Sequence, residues 1–159
     1  MEPNGFTETS AKAVSVSETA LDLHFESDPI RVRQAVRDIL SYLEEHLPGQ
    51  SQEERWEFKL IFNELLYNAV IHGNASDTAK RVRVRLSVDG GCVNASITDE
   101  GSGYDYQQIV DMARRNEMLD CQRESGRGLR LVLALTDHIE FNSGGSSVTF
   151  HKKVKPHHG

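Results

Sequence analysis

The chain has 159 residues, with 18 Lys and Arg against 24 Asp and Glu, a formal charge of -6 and a pI near 5.6. That is about one domain with room for a real core, and the acidic balance argues against a general nucleic-acid binder, whose footprint is net basic. No charged-then-apolar opening and no apolar run of membrane length occurs, which predicts a cytoplasmic protein without membrane contact.

Residues 1–19 are rich in Ser, Thr, Glu and Ala and read as a flexible tail. Leu21, Leu23 and Phe25 then alternate with polar neighbours and predict an edge strand. Ser27-Asp28-Pro29 starts a helix that carries Val32, Ala35, Val36, Ile39, Leu43 and Leu47 on one face and ends at Pro48-Gly49. Arg31, Arg33 and Arg37 sit in its first turns, where the helix dipole disfavours cations. They form either a solvated charged face, the plainer reading, or a patch that docks a partner.

Ser51-Gln52-Glu53-Glu54 has the form of a capping box and opens a second, longer helix that Gly73 is expected to close. On this helix Glu64 and Asn68 are four residues apart and share a face. Their angular neighbours are Leu60, Ile61, Leu65 and Ile71, while Lys59, Asn63 and Tyr67 fall on the other side. An acid and an amide in apolar surroundings need polar partners, and a ligand or a metal is one candidate. Taken alone, a solvated surface pair explains them as well.

Val82, Val84, Leu86 and Val88 alternate with Arg81, Arg83, Arg85 and Ser87, a strand with one buried and one wet face. No aromatic is interleaved with the arginines, so a solvated sheet face fits better than a nucleic-acid track. Asp89-Gly90-Gly91 turns the chain into a returning strand, Val93, Ala95 and Ile97, which runs into Asp99-Glu100-Gly101-Ser102-Gly103. Aspartate at a strand end can accept from an exocyclic amine, and glycines let a ligand approach the backbone; a simple turn explains the motif too.

Tyr104 to Ser125 reads as a short helix and loop, either a lid or a plain connection. Ser125-Gly126-Arg127-Gly128 then opens the run from Leu129 to Leu135, read as a buried helix whose free N-terminal amides suit phosphate, or as a tight turn before it. Ile139 and Phe141 pair with Val148 and Phe150 across a glycine-serine turn, and residues 155–159 are expected to fray. Cys92 and Cys121 lack the spacing of a zinc site or redox pair and read as reduced thiols.

In this order the motifs resemble the Bergerat-fold ATPase family of gyrase, heat-shock chaperones and sensor histidine kinases. Glu64, Asn68, Ala69, His72 and Gly73 match the family's N box. Asp99, Gly101 and Gly103 match its first glycine box, and Gly126, Arg127 and Gly128 its second. Gly145-Ser146-Ser147-Val148 resembles the closing G-T-x-hydrophobic element, with serine in place of threonine. The small size and short lid look most like the anti-sigma factor serine kinases of bacterial partner-switching systems, with the resemblance spanning Leu21 to Val154.

The resemblance implies a two-layer α/β sandwich, a mixed and mostly antiparallel sheet of about five strands with three helices on one face, over a domain spanning residues 20–154. It implies ATP or ADP with Mg²⁺, held through Asn68 as metal ligand, and Glu64 as general base. Asp99 would read the adenine amine with help from Ser146; Gly101 and Gly103 would shape the base pocket; Gly126, Arg127 and Gly128 would cradle phosphates by backbone N–H, with the Arg127 side chain either a further phosphate contact or a surface residue. His72 is expected to be a packing or helix-end residue. The implied activity is a protein serine/threonine kinase that phosphorylates a small STAS-type antagonist, sequesters a sigma factor and forms a homodimer. Two alternatives are a module that docks with little or no phosphotransfer and the ATPase unit of a histidine-kinase pathway. The latter would need a helix hairpin bearing a phospho-acceptor histidine, for which the residues before Leu21 leave no room.

Overall fold

The computed structural model describes residues 15–16, 20–101, 111, 124–142 and 146–155. Alternating patterns make the strands one-sided. β1 (Ser15–Val16), β2 (Ala20–Glu26), β3 (Arg81–Asp89), β4 (Cys92–Thr98), β5 (His138–Phe141) and β6 (Ser147–Lys153) join in one sheet of order β1-β2-β3-β4-β6-β5. Every neighbouring pair is antiparallel. Among the described residues the sheet therefore has six strands rather than about five. The extra edge strand comes from the segment read as a tail, where Ser15 pairs with Asp22 and Val16 with Leu21. Two residues are too few for a periodic signal to be visible.

Leu23, Phe25, Val82, Val84, Val93, Ile97 and Phe150 turn one sheet face into the core, where α1 (Pro29–His46), α2 (Gln52–Tyr67) and α3 (Glu124–Leu135) cover it. Asp28 caps α1 by accepting from the Ile30 amide at 3.1 Å, with Pro29 in the first turn. The capping box of α2 is complete: Ser51 N donates to Glu54 Oε1 at 2.9 Å and Glu54 N to Ser51 Oγ at 3.0 Å. Gly90 and Gly91, at φ of 60° and 79°, make the two-residue hairpin turn between β3 and β4. α3 is less buried than its composition suggests. Leu129 and Val132 are fully covered, whereas Leu131 is half exposed.

On the open sheet face the arginine row is paired across strands, as a solvated face allows. Arg83 Nε donates to Asp22 Oδ1 at 2.9 Å and Arg81 Nε to His24 Nδ1 at 3.1 Å. The Arg83 hydrogen bond holds the Asp22 carboxyl below the usual carboxylate range.

One inward position of β6 is a lysine. Lys152 is buried, with Nζ 3.0 Å from Glu57 Oε1, donating to the Leu135 carbonyl at 2.7 Å and lying over the Phe58 ring. It ties β6 to α2 and to the end of α3. Nearby, Lys155 N donates to Glu54 Oε2 at 2.9 Å, so the first residue of the stretch expected to fray is held by the α2 capping box. Residues 156–159 lie outside the described ones.

Candidate functional site

The segment carrying Glu64 and Asn68 is helical, but it does not continue as one α-helix to Gly73. α2 ends at Tyr67, and Asn68–Gly73 forms a π-helical turn. Its wider repeat shows in the bond from Asn74 N to the Ala69 carbonyl, five residues back, at 2.9 Å. Such turns are rare and collect at functional sites, and six residues are too short a stretch for hydrophobic spacing to reveal one. Ile61 and Leu65 are buried as expected, whereas Ile71, placed among the same neighbours, is 43% exposed. His72 is exposed near the end of the turn, a helix-end residue rather than a packing one.

Gly73 does not end the helix through a left-handed conformation; the positive φ angles fall on Ala75 and Ser76. It is glycine for a different reason. The Asp99 carboxylate lies against it so closely that a Cβ there would overlap Asp99. Gly101 in turn lies on the Gly73 carbonyl, leaving no room for a Cβ of its own. Gly101 N donates to Asp99 Oδ1 at 2.8 Å, and Asp99 N donates to the Ser146 carbonyl at 2.8 Å. The N-box end, the first glycine motif and Ser146 thus meet around one carboxylate. Asp99 is 6% exposed, and burial pushes its carboxyl above the ordinary value of 3.8, opposed by the Gly101 amide and by Lys80.

At the other end of the strip, the Glu64 carboxylate lies against the α-carbon of Gly128, in the early turns of α3. Among the described residues the helix runs from Glu124, so Gly126, Arg127 and Gly128 belong to it rather than to a turn before it. Asn68 lies between Glu64 and Gly73 along the chain, 3% exposed, and its Nδ2 is buried with no hydrogen bond. A buried amide nitrogen without a partner is uncommon, because most buried polar groups are hydrogen-bonded. Leu65, Ala69, Ile97 and Val148 form the apolar walls of a narrow slot that Asp99, Ser146 and Ser147 complete. In this conformation the slot has no room for a water molecule.

The structure therefore gathers Glu64 with Gly128, and Asp99 with Gly101 and Ser146. Gly103, most of the segment from Tyr104 to Ser125 and the Arg127 side chain lie outside the described residues. Cys121 does too, while Cys92 is a free thiol. No helix among the described residues is long and apolar enough to cross a membrane.

Two asparagines that support this geometry were missed in the sequence. Asn74 is 1% exposed; its Oδ1 accepts from Glu100 N at 2.8 Å, and its Nδ2 donates to Ser27 Oγ at 2.6 Å and to the Arg81 carbonyl at 3.1 Å. It fixes the turn that bears Asp99 to β2 and β3. Asn142 Oδ1 accepts from Ser146 N at 3.1 Å and Ser147 N at 3.3 Å, setting the strand that holds Asp99 N. An asparagine directly after a helix-ending glycine was the only sequence signal for Asn74.

Larger depressions lie away from this strip. One of about 400 Å³ lies on the open sheet face and includes Asp22, Arg85 and Asn94; another, of about 650 Å³, opens between α1 and α2. Convergence of polar groups, not size, singles out the strip.

Residues 25–152 match the family model described as the histidine kinase-like ATPase domain. The anti-sigma F factor of Lysinibacillus sphaericus is 30% identical over 108 residues, which cover 64% of this chain and 70% of that protein. The serine-protein kinase RsbW of Bacillus subtilis strain 168 is 28% identical over 108 residues, covering 65% and 68%. RsbW of Staphylococcus aureus strain MW2 is 23% identical over 112 residues, covering 67% and 70%.

Proposed function

The chain belongs to the histidine kinase-like ATPase family and is related to the anti-sigma factor kinases, and from that premise we propose that it binds ATP with Mg²⁺ and phosphorylates a protein serine or threonine. The observation that carries this reading is the strip itself: Glu64 against Gly128 at one end, Asp99 between Gly73 and Gly101 at the other, and Asn68 with an unengaged carboxamide end between them.

In this reading Asp99 accepts from the adenine amine, with Ser146 assisting, and the apolar walls of the slot take the faces of the base. Asn68 offers its side-chain oxygen to Mg²⁺, an ion that takes few protein ligands and fills its remaining positions from phosphates and water. When bound, Mg²⁺ neutralises phosphate charge and orients the transferred group. Backbone amides of Gly126, Arg127 and Gly128 in α3 are the proposed phosphate cradle. Glu64 takes the proton of the attacking hydroxyl. Its seat against Gly128 puts the base beside that cradle.

The partners follow the same reading: a STAS-type antagonist presenting the hydroxyl, a sigma factor held by the kinase, and a homodimer. The start of α1 is the proposed docking edge. Arg31 has a 3.7 Å contact with Glu26 Oε1, both side chains are about two-fifths exposed, and among the described residues Arg31 Nε is buried without a hydrogen bond. Arg31→Glu should weaken partner capture and leave nucleotide affinity intact, since charge at an interface rim acts mainly on encounter.

A second reading, docking without phosphotransfer, is favoured by the closed slot, whose walls must part before a base enters. Incubation with ATP, Mg²⁺ and STAS-type candidates separates the two. Phosphoserine or phosphothreonine on a candidate supports the kinase; stable capture without phosphate transfer supports the docking module.

A further inference from the structure

The face of α2 opposite Glu64 and Asn68 borders a groove of about 650 Å³ between α1 and α2. Its floor is Val36 and Leu40, one turn apart on α1. Arg33 and Arg37 stand along one bank and Lys59 along the other, where Asn63 and Tyr67 continue the stripe. Three cations and no acid line it, although the whole chain carries a net charge of -6. Among the described residues none of the three cations has an ion-pair partner, whereas just beyond them Arg55 and Glu44 pair across the two helices. Tyr67 is 38% exposed and Trp56, further along the same stripe of α2, is 58% exposed.

We propose that this groove docks an acidic amphipathic helix of a protein partner. Two helical ridges accept a third helix between them, which lays its apolar side on the partly exposed Leu40 and against the Tyr67 ring, with the almost covered Val36 beneath. Carboxylates along that helix's flanks meet Arg33, Arg37 and Lys59, which are uncommitted to neighbours. Exposed tyrosine and tryptophan suit a protein surface, being large contact area with little rotamer entropy to lose. A nucleic acid would not need the apolar floor, and the net negative charge of the chain repels it. The inference does not rest on the nucleotide reading, because it uses none of the residues of that site.

The test uses the full chain and a designed helical peptide about five turns long, with leucines on one face and glutamates on the flanks. Controls are a lysine-flanked version, a shuffled peptide of the same composition and a short polyuridine RNA. Amide shifts in ¹⁵N-labelled protein locate binding, and fluorescence anisotropy of the labelled ligands measures it. The expected result is binding of the acidic helix alone, with shifts centred on Arg33, Arg37, Lys59 and Tyr67. The double change Arg33→Glu, Arg37→Glu should weaken it at least tenfold, with the unfolding midpoint unchanged. Equal binding of the shuffled peptide or the RNA, shifts centred elsewhere, no binding, or indifference to charge reversal would each overturn the proposal. So would loss of self-association in the double variant, which would assign the groove to a second copy of this chain.

Discussion

The carboxylate of Glu64 rests on the α-carbon of Gly128, and a Cβ on that glycine would occupy the same space. The obstructing atoms are the far end of a flexible side chain, so Gly128→Ala can be accommodated by moving Glu64 alone. The helix itself gains, because alanine is favoured over glycine in a helix interior by about 1 kcal/mol. Gly128→Ala should therefore unfold no earlier than wild type and lose phosphotransfer on the order of a hundredfold, the worth of a general base. Thermal unfolding beside single-turnover kinetics checks it. Normal turnover would mean that the position of Glu64 does not matter.

Gly101→Ala should behave in the opposite way. Its Cβ would meet the Gly73 carbonyl, a backbone atom within a hydrogen-bonded turn, which cannot swing aside. We expect a stability loss of about 1 to 3 kcal/mol, as for overpacking elsewhere, read from the denaturation midpoint. Both variants add one methyl to a glycine, so the contrast isolates what that methyl strikes.

Asp99→Asn separates binding from folding. Burial raises the Asp99 carboxyl above 3.8, so the folded chain binds the proton more tightly than the unfolded one. Stability then falls as pH rises between 3.8 and the raised folded value, and levels off above it. Asparagine removes that fall while its oxygen still accepts from the Gly101 amide. The ligand-free variant should be at least as stable as wild type at neutral pH. Its affinity for ADP should drop about tenfold or more, because an amide can turn a donor toward the adenine amine. Unfolding curves across pH, paired with ADP titrations, carry both readouts.

Lys152→Ala should cost about 3 kcal/mol. It leaves Glu57, with 18% of its side chain exposed, without its cation and removes the donor to the Leu135 carbonyl. Urea unfolding measures the loss; a change below about 0.5 kcal/mol would place Lys152 among ordinary surface lysines.

The elements legible in the sequence were those with several repeats of a period. Leu21 to Phe25, Val82 to Leu86 and the α1 face all lie where alternation or helical spacing put them. The capping box at Ser51 is a local pattern and needs no tertiary knowledge. What spacing did not reveal depends on contacts distant in sequence. Gly73 looked like a helix terminator, but the reason for glycine there is Asp99, which approaches from β4. Asn74 gave no chemical signal because its partners, Ser27, Arg81 and Glu100, come from three other segments. Lys152 falls two residues after Phe150, on the inward side of β6, where spacing does not account for a lysine; a partner on α2 makes its burial tolerable.

The central claim is that Asn68 and Asp99 hold the two ends of a magnesium-dependent adenine nucleotide site. Calorimetric titration of ATP into the wild-type chain and into Asn68→Ala, each with and without Mg²⁺, tests it most directly. The account predicts binding to wild type that Mg²⁺ strengthens, and loss of that Mg²⁺ dependence in Asn68→Ala. ATP that fails to bind wild type, or binds both proteins with the same response to Mg²⁺, would contradict it.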